Sequence, residues 1–352
     1  MPKPGPPLPP IVWPRSHAEL RAAGVSGRAL REGKGWQRTG YGFYVPAGVD
    51  VDSPQQRVAA QAVRLPGETA IGGWGSAYLH GARTLDGRGH NGRAPLPLLL
   101  CLGRRGRLRD SPEAHVSREP LERDEIVRVR DVPVTRPLRT CFDGMRLARN
   151  LVEAVVFADA MLYAECCDVA ELGAYVVEHG GWRGVRQART ALTLCDPNAR
   201  GPWETRLRMV WVLEARLPRP HVNPPVFDLG GELLGFPDLL DAEAGTVFEY
   251  DGSGHREELQ HASDNNREEL FEEHRLLVGR VTRVDMRDRA AVARRMVSTR
   301  RRGLGRDRRA DRWTLELPPD WGACCPMADL HEVLDEMDRG WSPWTAPVPP
   351  GW

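Results

Sequence analysis

The chain reads as an α/β protein of several domains, and three observations predict it. At 352 residues with 41% hydrophobic content it is long enough for two or three compact cores. Strand-like runs such as Leu96 to Leu102 and Thr246 to Asp251 alternate with helical stretches such as Val152 to Tyr163. No apolar run reaches the length of about 18 residues that would cross a membrane, so no membrane partner is expected.

Residues 1–14 are Pro-rich and are expected to be disordered. Residues 15–50 read as a small helical module. Ser16 can cap a helix through Leu20 and Ala23, Gly24-Val25-Ser26 makes a turn, and Ser26 can start a second helix through Leu30 and Arg31. Gly33-Lys34-Gly35 breaks that helix, and Trp36-Gln37-Arg38 with Gly42 to Pro46 then form a hairpin around Thr39-Gly40. Helix, turn, helix and hairpin is the plan of a winged helix-turn-helix. Its second helix would bring Ser26, Arg28 and Arg31 to the major groove of DNA, and Arg38 on the wing to a phosphate. A protein-binding winged helix has the same pattern.

Residues 51–165 read as an α/β domain, with helices over Gln55 to Val63, Ser76 to Leu79, Pro137 to Arg149 and Val152 to Tyr163, and strands over Leu96 to Leu102 and Ile126 to Val134. His80 and His115 have no partner at ligand spacing and read as structural. A helical linker is expected over 166–200. A third domain over 201–303 has helices at 202–216, 257–274 and 288–302 and strands near 225–229, 232–240, 246–251 and 276–284. The tail, 304–352, is rich in Trp and Pro, with one acidic helix expected from Asp329 to Asp338. Trp341, Trp344 and Trp352 are left to fold back on the body or to meet a partner.

Net charge is +1, so attraction to nucleic acid rests on distribution. The only lysines are Lys3 and Lys34. The run Arg294-Arg295, Arg300-Arg301-Arg302, Arg306, Arg308-Arg309 and Arg312 offers guanidinium forks that suit phosphate oxygens. A solvated helix end would look the same. The seven cysteines form no C-x-x-C pair and an odd set, which argues against zinc and against a disulfide framework. The N-terminus lacks the apolar core of a signal peptide, so a cytoplasmic location is expected.

The chemistry is expected in the hairpin that carries Pro237-Asp238-Leu239-Leu240 and Val247-Phe248-Glu249-Tyr250-Asp251-Gly252, with His255 just beyond. Carboxylates on a buried strand are costly unless their charge is compensated. A divalent ion such as Mg²⁺, which takes oxygen ligands, would compensate it, and could activate water against a phosphodiester. Asp241 and Glu243 read as turn residues, and Asp264 and Arg267 as a solvated helical pair. Upstream, Pro202 opens a helix on which Glu204, Leu207 and Trp211 share a face.

Pro237-Asp238 followed by Glu249-Tyr250-Asp251 resembles the PD-(D/E)XK nuclease signature. The longer run Glu249-Tyr250-Asp251-Gly252, His255, Asp264, Arg267, Leu270 and Arg283-Val284 resembles the very-short-patch-repair branch. The likeness covers about residues 200–302. It implies a restriction-endonuclease-like α/β core, Mg²⁺ held by Asp238 and Glu249 with Glu204 facing the site, and Asp251 in support. The family's lysine is replaced by Asp251, so His255 would take over proton transfer, or catalysis is lost with the fold kept. The N-terminal half, through Gly24-Val25-Ser26, Trp36 to Val45, Ala70 to Gly81 and Val134 to Asp143, resembles AbiEi-type antitoxins of type IV toxin–antitoxin systems. That implies a DNA-binding regulator with a cognate toxin as a possible partner. An interaction module in phage defence is the third reading, and DNA is not distinguished from RNA.

Overall fold

The computed structural model describes residues 10–40, 42–89, 94–104, 106–252 and 269–319. The chain is mixed α/β and divides into two compact units, Pro2–Leu192 and Thr193–Trp352. Among the described residues no helix is long and apolar enough to cross a membrane.

The first unit opens with β1 (Arg15–Ser16), α1 (His17–Ala22), α2 (Gly27–Glu32), β2 (Trp36–Gly40) and β3 (Phe43–Pro46). Ser16 closes a capping box with Glu19, and Ser26 accepts the Ala29 N–H at 3.1 Å. The strands make a small antiparallel sheet in the order β1-β3-β2. Leu20, Leu30 and Val45 are its buried apolar residues.

A larger sheet follows. β4 (Ala70–Gly72), β5 (Leu98–Cys101), β6 (Ala114–Ser117), β7 (Ile126–Val129) and β8 (Val132–Thr135) assemble in the order β6-β5-β4-β8-β7. The single strand expected over Ile126 to Val134 is a hairpin. Its turn residues, Arg130 and Asp131, both have positive φ, 52° and 64°. A two-residue loop with both φ positive is a type I′ turn, usually announced by Asn-Gly, and here neither residue is glycine. Helices α3 (Pro54–Ala62), α4 (Gly73–His80), α5 (Pro137–Arg146), α6 (Leu151–Tyr163), α7 (Val169–Glu178) and α8 (Val185–Leu194) complete the unit, whose boundary falls near the end of α8.

The α4–α5 contact is polar at its centre. Ser76 Oγ and Thr140 Oγ1 lie 2.8 Å apart, and Thr135 Oγ1 and Thr140 Oγ1 2.6 Å apart, all three buried. Beside them two arginines are fully enclosed. Arg139 Nε donates to Asp143 Oδ2 at 2.8 Å and its Nη1 to Glu125 Oε2 at 2.8 Å. Arg146 Nε donates to Asp143 Oδ1 at 2.8 Å, and Arg146 also pairs with Glu119. Trp182 lies under both guanidiniums, 4.5 Å from Arg139 and 5.0 Å from Arg146.

Burial alone would raise the Glu125 carboxyl. The Tyr175 hydroxyl, the Glu122 N–H and Arg139 outweigh it and hold the group below the usual carboxylate range. Folding therefore favours the ionised form. The stabilisation is present above the unfolded value of about 4.3 and is lost as pH falls through the folded value. In urea titrations the gap in stability between the parent chain and Glu125→Gln is expected to narrow as pH falls from about 6 to about 3. A gap that stays constant would show that Glu125 is not ionised in this network.

The second unit starts with α9 (Pro202–Met209), continued by a π-helical turn over Val210–Glu214. β9 (His221–Val222), β12 (Leu239–Asp241), β13 (Thr246–Asp251) and β14 (Leu277–Thr282) form a sheet in the order β14-β13-β12-β9, where β13 and β14 run parallel. β10 (Val226–Asp228), β11 (Leu233–Gly235) and β15 (Trp313–Thr314) form a second sheet in the order β11-β10-β15. The strand expected over 232–240 is thus split between two sheets, at Gly235 (φ 149°) and Pro237. α10 (Arg289–Leu304) approaches the β12–β13 turn so closely that a Cβ on Gly303 would stand 2.2 Å from the Ala244 carbonyl oxygen. Of the helix expected at 257–274, residues 269–273 are helical and most of the rest lies outside the described residues.

Candidate functional site

β13 presents its two faces to different cores. Phe248 and Tyr250 pack with Leu207 and Trp211 of the α9 segment and with Met296 of α10. Phe248 and Trp211 meet edge to face at 5.6 Å. Val247 points the other way, with Val226, Leu240 and Phe271. Strand alternation places Glu249 and Asp251 on the Val247 face. Glu249 is only 7% exposed. In the parallel pair Glu249 lies opposite Arg280 and Asp251 opposite Thr282, so Arg280 shares the face of the acids. Its Nη1 is 4.0 Å from Asp251 Oδ2.

Asp238 stands one residue outside β12, where the ladder with β13 ends at Leu239 opposite Phe248. Its Oδ2 accepts the Tyr250 N–H at 2.7 Å, with Asp238 one residue and Tyr250 two residues beyond the last ladder pair. Asp238 is therefore fixed beside Glu249 by the backbone of the strand that carries Glu249.

Glu204 is placed differently. Leu207 and Trp211, at helical spacing from it on the α9 segment, pack on Phe248 and Tyr250. Trp203 next to it stacks on Tyr250 at 5.1 Å, with the rings 1° from parallel. Glu204 Oε2 accepts from the Arg200 N–H at 3.0 Å and from Asn223 Nδ2 at 2.8 Å. Asn223 is 4% exposed with φ 46°, and its backbone N–H donates to the Asp238 carbonyl at 3.2 Å. The Glu204 carboxylate is thus held by Arg200 and Asn223, and Asn223 in turn binds the Asp238 carbonyl. Among the described residues no three His, Cys, Asp or Glu side chains form a group that could hold a metal ion. His255, Asp264 and Arg267 lie outside the described residues.

The basic stretch is also divided. Arg300 Nε donates to Asp241 Oδ2 at 2.7 Å and Arg300 pairs with Glu243, so these three hold the β12–β13 turn against α10. Asp241 is buried and accepts the Ala244 N–H at 3.1 Å, as a turn residue does. Arg294, Arg295, Arg301 and Arg302 are exposed.

On the first unit, Ser26, Arg28, Arg31 and Arg38 are all exposed. The Ser26 oxygen already caps α2, and Arg28 Nε lies 2.5 Å from Glu32 Oε1. Two residues absent from the expected set join Arg31. Arg31 Nη1, Arg21 Nη1 and His17 Nε2 converge over Gly27, at 3.6, 3.8 and 4.0 Å from where a Cβ on that residue would sit. His17 and Arg21 lie on α1, so only the angle between α1 and α2 brings them to Arg31. Arg200, Asn223 and Arg280 were likewise unmarked in the sequence.

No family model, no curated protein and no solved structure matches the chain.

Proposed function

We propose that the chain is a DNA-binding protein that hydrolyses phosphodiesters with Mg²⁺ in its second unit, its N-terminal helix pair and hairpin serving as a winged helix on the duplex. One observation carries the reading: Asp238 stands beside Glu249 at the end of the β12–β13 ladder, and Asp251 follows on the face of Glu249. Mg²⁺ commonly takes one or two carboxylates and completes its shell with water and phosphate oxygens. Asp238 and Glu249 fit that need, and Glu204, held by Asn223 and Arg200, does not. When bound, the ion would polarise a phosphoryl oxygen and acidify a water.

The chain's own residues then have separate tasks. Asp238 and Glu249 would hold the ion. Arg280 sets a positive charge beside Asp251 on the same face. His255, four residues past Asp251, is the group for proton transfer to the leaving oxygen. A helix before the sheet, a parallel β13–β14 pair and a helix after it agree with a restriction-endonuclease-like core. Arg21 and Arg31, with His17 beside them, supply a basic cluster for a backbone phosphate, with Arg28 and Arg38 exposed nearby in sequence.

Incubation of duplex DNA with the chain and Mg²⁺, against chelator, tests hydrolysis, and no product would defeat that half of the proposal. Binding is tested by its salt dependence. Arg21→Ala with Arg31→Ala is expected to flatten the slope of log K against log salt by about two and to weaken binding alike across sequences. A slope unchanged by the pair would remove the winged helix from the interface.

A second reading has its own support. With the acid on α9 turned to Asn223 and no lysine at position 251, the second unit would be a non-catalytic scaffold in an antitoxin-like regulator with a cognate toxin. That reading predicts salt-sensitive binding without cleavage.

A further inference from the structure

α10 has a side that no described residue covers. Ala290, Arg294, Val297, Ser298 and Arg301 follow one helical stripe, and with Ala215 at the end of the π-helical turn they line a groove of about 430 Å³. Val292, Met296 and Thr299, on the other side of the helix, are buried. Its lining is small and apolar at Ala215, Ala290, Ala293 and Val297, and its charged residues, Arg294, Arg301 and Glu214, leave a net charge of +1.

We propose that the chain's own C-terminal segment, residues 326–341, docks in this groove as an amphipathic helix. Met327, Leu330, Leu334, Met337 and Trp341 follow one another at spacings of three, four, three and four. That is the seam one helix offers to another. The segment holds five acids, Asp329, Glu332, Asp335, Glu336 and Asp338, against a single arginine, Arg339. On a helix, Asp329 and Asp338 would be the acids that fall nearest that apolar stripe. Net negative charge on the segment and net positive charge on the groove match. Seven residues, 320–326, separate Pro319 from Met327 and extend to about 23 Å. The docking does not depend on the nuclease reading, and each can fail alone.

Hydrogen exchange of the full chain, read by mass spectrometry, tests it. Amides of residues 330–337 are expected to exchange at least about tenfold slower than in an unfolded chain, at a rate independent of protein concentration. Arg294→Glu with Arg301→Glu should abolish the protection, and Asp329→Arg with Asp338→Arg in that background should restore it. Leu334→Asp, which alters no residue of the groove, should also abolish it and serves if the α10 variant fails to fold. Unfolded-chain exchange in the parent overturns the proposal. So does protection that survives Leu334→Asp, or protection that grows with concentration, which would assign the groove to a second copy.

Discussion

Asp143→Ala is expected to lower the stability of the first unit by about 3–5 kcal/mol. The carboxylate is fully buried and is the shared counter-ion of Arg139 and Arg146, both enclosed. Removing it leaves two guanidiniums facing each other out of water, with Glu125 and Glu119 each compensating from one side only. Slack is small, because Arg139 Nη2 already has no hydrogen-bond partner. Burial would draw the Arg139 proton off, but Asp143 and Glu125 outweigh it and raise its pKa, so deprotonation offers no escape. The Trp182 ring under both guanidiniums cannot take over, since a cation–π contact contributes only about 2 kcal/mol even when desolvated. Urea unfolding followed by hydrogen exchange in α5 and α6 separates this unit from the other. A loss below about 1 kcal/mol would mean the site takes in water and behaves as a surface pair.

The same network shows where reading residues in order stops. Val134 to Asp143 is the stretch that carries one of the antitoxin resemblances. In the structure four of its five polar residues, Thr135, Arg139, Thr140 and Asp143, are buried in hydroxyl and ion-pair contacts, and only Arg136 is exposed. Such polar residues hold an interior together and do not mark a surface for chemistry. Local signals fared well where the cause is local. The Ser16 and Ser26 caps, Pro202 at the start of α9 and the run Thr246–Asp251 need only their neighbours to act. The Arg130-Asp131 turn was not legible, because Asp131 tolerates positive φ but Arg130 gives no turn signal and no glycine follows. Nor were the partners of Glu204, the Arg200 N–H and Asn223, which depend on how α9 packs. Asn223 and Arg280 become visible only through φ and strand register, which are properties of the fold.

Asp238→Asn is expected to reduce Mg²⁺-dependent cleavage at least about a hundredfold while the second unit stays folded. The reasoning turns on the two tasks of this side chain. Its Oδ2 accepts the Tyr250 N–H where the β12–β13 ladder ends, a purely structural duty. An asparagine oxygen can accept the same N–H, so the strand end persists, but the amide carries no charge to hold a divalent ion. Alanine removes both and leaves the N–H without its acceptor, at a further cost of about 1–3 kcal/mol. Loss of activity in Asp238→Ala alone would thus not separate a ligand from a strand cap, whereas loss in Asp238→Asn with unchanged hydrogen exchange in β13 would. Glu249→Gln should behave as Asp238→Asn does. Glu204→Gln should retain cleavage close to the parent rate, because its carboxylate is taken up by the Arg200 N–H and Asn223. If Asp238→Asn cleaves as well as the parent, Asp238 is only the cap of its ladder and the carboxylate pair holds no catalytic ion. If neither parent nor variant cleaves but both bind duplex DNA with the same salt slope, the second unit is a scaffold and the regulator reading stands.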